Sequence, residues 1–171
     1  MRQAALLRGV NLGGRKLIMS ELRALVEGAG YANVATLLAS GNLILDAKEK
    51  GAKLEAKLEQ LILDGLGLKT DIFVRTGAEL EAIIAANPFK AFAKAQPNYM
   101  VVTFLRAPAT KAELKAMEET ALLGEELVQG KGCLYITYPH GQGVSKLRIP
   151  KLGTSRNWNT VGKLAALTQK T

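Results

Sequence analysis

"NVATLLASGNLILDA", residues 33–47, holds two apolar runs separated by Ser40-Gly41-Asn42. Gly and Asn accept the positive φ that tight reversals need, so the stretch reads as a β-hairpin. Before it, a helix is predicted over about residues 20–27. Ser20 is its candidate N-cap, and Leu22, Leu25 and Val26 make an i, i+3, i+4 stripe. Gly28 and Gly30 stop that helix. After the hairpin, a second helix is expected over about residues 49–63, its stripe being Leu54, Leu58, Leu61 and Ile62. One further strand stands outside each helix, "QAALLR" at residues 3–8 and "DIFVR" at 71–75. The hairpin is thus the centre of a βαββαβ order. That is the split arrangement of a ferredoxin-like unit, with helices on one face of an antiparallel sheet.

The second half nearly repeats this order. Thr76 and Glu79 have capping-box spacing and open a helix carrying Leu80, Ile83 and Ile84, which ends before Pro88. "NYMVVTFL", residues 98–105, reads as a strand. Thr110 and Glu113 form a second capping box, ahead of a helix that turns Leu114, Met117 and Ala121 inward. "EELVQGKGCLYITY", residues 125–138, is a hairpin turning at Gly130-Lys131-Gly132, with Leu134 and Ile136 alternating against Cys133, Tyr135 and Thr137. A last helix over about residues 159–167 carries Val161, Leu164 and Ala165. The expectation is an α+β chain of two ferredoxin-like subdomains in tandem, residues 1–76 and 77–171, the second including the C-terminal helix.

Composition bounds the function. The 23 Lys+Arg against 15 Asp+Glu give a formal charge of +8 over 171 residues, which favours polyanions or phosphorylated small molecules as partners. Cys133 and His140 are each the single residue of their type, so no disulfide, cysteine cluster or histidine-rich metal site is expected. No metal or organic cofactor is implied. "MRQAALLRGV" is too short an apolar run for a signal peptide, and no stretch of about 18 apolar residues occurs. A cytoplasmic protein with no membrane partner is the expectation.

Two segments concentrate polar chemistry. "RGVNLGGRK", residues 8–16, matches neither G-x-G-x-x-G nor the P-loop pattern. Its adjacent Gly13 and Gly14 nevertheless let backbone N–H groups approach an anion, with Arg8, Arg15 and Lys16 supplying charge. "GTSRNWNT", residues 153–160, sets Arg156 at the entrance to the last helix, where Asn157 can cap and Trp158 can staple the first turn. In "GVSKL", Ser145 and Lys146 are adjacent and diverge in direction, so no Ser-Lys pair is implied. Cys133 reads as a small buried hydrophobe and His140 as a loop residue. Glu118-Glu119 and Glu125-Glu126 read as solvated faces and a strand entry, not as general acid and base.

The front block "ALLRGVNLGGRKLIMSELRALVEGAGYANVATLLASGNLIL", "ANPF" at 86–89, "GVSKL" and "TSRNWNTVGKLAAL" together resemble the bacterial family of domain of unknown function 1697. The resemblance spans nearly the whole chain. It implies two ferredoxin-like halves and no established reaction, substrate or catalytic residue. "LLASGN" departs from relatives, which usually carry a more polar residue before Ser-Gly-Asn.

Three functional readings stay open. In the first, Arg8, Asn11, Gly13, Gly14, Lys16, Ser40, Asn42, Lys146, Arg156, Asn157 and Asn159 form a cationic cleft for a nucleotide or other phosphorylated ligand. Nucleic acid is the weaker form of this reading, because the expected central strands "QAALLR" and "LILD" carry no aromatic residue for base stacking. In the second, an enzyme acts on a phosphorylated or carboxylated metabolite, with Arg8, Lys146 or Arg156 as oxyanion clamps; it lacks an identifiable base or nucleophile. In the third, the halves form a protein-interaction module.

Overall fold

The structure, a computed structural model, describes residues 1–8, 17–37 and 41–169. Two compact units divide the chain: residues 1–80 with 164–171, and residues 81–163. The division falls four residues beyond the expected one, and the end of the last helix groups with the first unit.

The first unit contains β1 (Arg2–Arg8), α1 (Met19–Gly28), β2 (Ala32–Leu37), β3 (Asn42–Asp46), α2 (Gly51–Leu66) and β4 (Asp71–Thr76). Its sheet order is β2-β3-β1-β4 with every neighbour antiparallel, the ferredoxin-like arrangement. The hairpin forms as expected: Leu37 faces Asn42, and Gly41 takes φ +84°. Ser40 lies outside the described residues. Ala5, Leu7, Leu43, Leu45, Ile72 and Val74 pack against Leu22 and Val26 of α1 and Leu54, Leu58 and Ile62 of α2. Each such leucine is worth about 1.5–3 kcal/mol relative to an exposed one, which is why the two stripes fix both helices to this face. The other face is buried as well, through Ala4, Leu6, Ile44 and Phe73. That explains why β1 and β3 read as continuous apolar runs.

Helix starts differ from expectation. Ser20 is not the N-cap: α1 begins at Met19, with Ile18 at the cap and no side-chain cap bond. α2 begins at Gly51, within two residues of its expected start, and ends at Leu66, capped by Gly67 in the left-handed conformation. The outer N–H groups of edge strand β4 are taken by α2, since Glu59 Oε2 accepts from Ile72 N at 2.8 Å and Glu55 Oε2 from Val74 N at 2.9 Å.

In the second unit, the end of α3 (Gly77–Ala85) and α4 (Lys90–Ala95) precede β5 (Met100–Leu105), α5 (Lys111–Thr120), β6 (Glu126–Gly130), β7 (Cys133–Thr137) and β8 (Gly153–Asn157). The sheet order β6-β7-β5-β8, again antiparallel, repeats the first. Both predicted capping boxes form, Thr76 with Glu79 and Thr110 with Glu113. Two features depart from the expected pattern. β8 is a strand built from the polar "GTSRN", pairing with β5 and joined to it by a 2.8 Å bond between the Thr103 and Ser155 hydroxyls. No α-helix occupies the β7–β8 crossover. Residues 138–152 form turns, one 3-10 turn at Gln142–Val144 and an extended strap. Both faces of β7 are buried, so the alternation expected there does not separate a wet face from a dry one. α6 (Trp158–Gln169) follows β8 directly.

Candidate functional site

In the first unit, Arg8 ends β1, and its Nη1 sits 3.0 Å from Asp71 Oδ2. Both side chains are more than a third exposed, so the pair adds little stability and holds Arg8 at the strand end. Thr70 Oγ1 donates to Arg8 O at 2.5 Å. Leu7 N donates to Gly41 O at 2.8 Å, so the end of β1 and the β2–β3 turn lie side by side. Asn42 is buried opposite Leu6, and its Nδ2 donates to Leu37 O at 3.0 Å, closing the hairpin. Asn11, Gly13, Gly14, Lys16 and Ser40 lie outside the described residues. The segments that carry them, 9–16 and 38–40, leave from adjoining backbone at Arg8 and Gly41.

In the second unit, Arg156 is buried in β8 opposite Val102. Its Nη1 donates to Thr154 Oγ1 at 2.7 Å and to Ser155 O at 2.8 Å. Burial lowers its pKa to about 10, which leaves it charged at neutral pH. Asn157 Oδ1 accepts from Thr160 N at 2.9 Å and caps α6. Asn159 Nδ2 donates to Asn98 Oδ1 at 2.6 Å. Lys146 is exposed on the strap.

One polar cluster escaped the sequence reading. Glu125, expected at a solvated strand entry, is buried. Its Oε1 accepts from Leu123 N at 2.6 Å, and its Oε2 accepts from the Ser145 hydroxyl. Burial pushes its pKa up, but the hydrogen bond from Ser145, backbone N–H donors and the nearby His140 outweigh it, so the carboxyl titrates below its ordinary 4.5. Burial first, then the Glu125 charge, pushes the Tyr138 phenol up to about 12. The partner of Ser145 is therefore a carboxylate twenty residues upstream, which no local spacing reveals. Cys133 is buried in β7. Among the described residues no group of three His, Cys, Asp or Glu is arranged to hold a metal, and no helix is long and apolar enough to cross a membrane.

The family model described as protein of unknown function (DUF1697) matches residues 1–135. Among solved structures, the conserved bacterial protein SP0830 from Streptococcus pneumoniae is similar, with a TM-score of 0.77 and 24% identity over 99% of this chain and 98% of that one. At that identity the likeness carries the fold alone. No curated protein matches the sequence.

Proposed function

The chain belongs to the DUF1697 family, and on that premise, which brings a fold and no reaction, we propose that it is a cytoplasmic protein that binds a phosphate-bearing anion through its first unit. One observation carries the reading: β1 and the β2–β3 turn end side by side, joined by the Leu7 N to Gly41 O bond. The segments leaving that point hold Asn11, Gly13, Gly14, Arg15, Lys16 and Ser40. Two further features support it. α1 opens without a side-chain cap, so an anion there meets the positive end of its dipole. Arg8, held by Asp71, keeps a guanidinium at the same strand end. Arg156, Asn157 and Asn159 have intramolecular partners in the second unit, so the proposal does not rest on them.

A ligand of the native state stabilises it by RT ln(1 + [L]/Kd), about 2.7 kcal/mol at a hundredfold excess over Kd. Thermal unfolding with ATP, a sugar phosphate and sulfate should therefore rise in midpoint for the wild type. In R15A/K16A that rise should vanish, while the ligand-free midpoint stays put. An unchanged midpoint with every anion, or an equal rise in the variant, would overturn the reading.

A further inference from the structure

The strap that replaces the second crossover helix has two unlike sides. Leu147 and Ile149 turn inward and pack on the core of Val101, Met117, Leu134 and Ile136. Lys146, Arg148 and Lys151 turn outward and are exposed. None of the three cations has an ion-pair partner among the described residues. Exposure alternates from Lys146 to Ile149, as on an extended chain, where side chains two apart lie about 6.6 Å from one another, so Lys146 and Arg148 share the outer side. Hydrogen bonds tie the strap down along this stretch. Ser145 is bonded to buried Glu125, Leu147 N donates to Ser145 Oγ at 3.1 Å, and Arg148 N donates to Thr120 Oγ1 at 2.9 Å.

We infer that this cationic row is a docking track for the phosphodiester backbone of single-stranded nucleic acid. An extended acidic peptide is the rival occupant, and the backbone bonding disfavours it. Such a peptide gains affinity by adding main-chain hydrogen bonds, and the N–H groups of Leu147 and Arg148 are already engaged. A phosphodiester chain needs only exposed cations within reach of its phosphates. Phe104 and Tyr135, the aromatic residues of central strands β5 and β7, are buried and offer no face for base stacking. Contacts to the phosphodiester backbone alone do not discriminate between bases. The inference is separate from the small-anion reading above, since all three cations belong to the second unit.

Fluorescence anisotropy of a labelled oligouridylate across a salt series tests it. Each phosphate neutralised on a single strand contributes about 0.7 to the slope of log K against log salt. K146Q/R148Q/K151Q should lower the slope by about 2, equivalent to a roughly 20-fold smaller loss of affinity between 50 and 200 mM salt. Its circular dichroism and unfolding midpoint should match the wild type, because all three side chains are exposed. Lys16→Ala, in the first unit, should leave the slope difference intact. Absence of binding at low salt, an unchanged slope in the triple variant, or equal competition by polyglutamate would overturn the inference.

Discussion

Ser145 and Glu125 show how one hydroxyl can anchor a whole segment. The Ser145 hydroxyl donates to a buried carboxylate and accepts from Leu147 N, so it ties the strap to the start of β6. Ser145→Ala should cost about 1–3 kcal/mol in urea unfolding, because the buried Glu125 loses a charge-directed donor. The pH dependence has a definite sign. The Glu125 pKa is lower in the folded chain than its ordinary 4.5, so its contribution is complete above that value and disappears as pH falls through the folded value. The midpoint of thermal unfolding should therefore drop below about pH 4.5, and Ser145→Ala should flatten that drop. Sequence spacing showed Glu125 beside Glu126, which reads as a strand entry, and Ser145 beside Lys146, which reads only as a neighbouring pair that diverges. The bond joining them crosses twenty residues and depends on a crossover without a helix, so no local pattern encodes it. The capping boxes were legible because all of their partners sit within four residues.

Edge strands show what pairs of elements can do that single residues cannot. β4 would present unpaired N–H groups along the outer side of its sheet, a template for unwanted pairing. α2 closes it with Glu55 and Glu59, one helical turn apart, each accepting from alternate residues of the strand. Glu55→Ala should cost about 1–3 kcal/mol by leaving Val74 N without its acceptor, whereas Glu55→Gln keeps an acceptor oxygen and should cost less. Chemical denaturation of the two variants checks the order. The helix stripes and the 33–47 hairpin were legible because apolar periodicity encodes them. β8 was not. Its residues Gly153, Thr154, Ser155, Arg156 and Asn157 lack an apolar alternation, and the strand exists because β5 offers an edge and Thr103 a hydroxyl to meet Ser155. The candidate site was legible as a set of residue types. Its neighbouring backbones, Leu7 and Gly41, became evident only from the sheet register.

At the scale of the whole molecule, the first unit is assembled from both ends of the chain. Arg2 Nε donates to Leu167 O at 2.9 Å, and Leu164 and Ala165 are buried. Gly77 lies under the last turn of α6: a Cβ there would sit 2.7 Å from Gln169 Nε2 and 3.0 Å from Thr168 O. Gly77→Ala should therefore lower the thermal midpoint, even though alanine favours a helix by about 1 kcal/mol over glycine. Gly162, inside α6 with open space where a Cβ would stand, should respond the opposite way, gaining up to about 1 kcal/mol as alanine. Opposite signs in one calorimetric comparison would confirm that α6 is pinned at its end and open at its middle. The same closure orders events on the ribosome. Residues 164–171 follow residues 81–163 in synthesis, so the first unit cannot be complete until every residue of the second has been added.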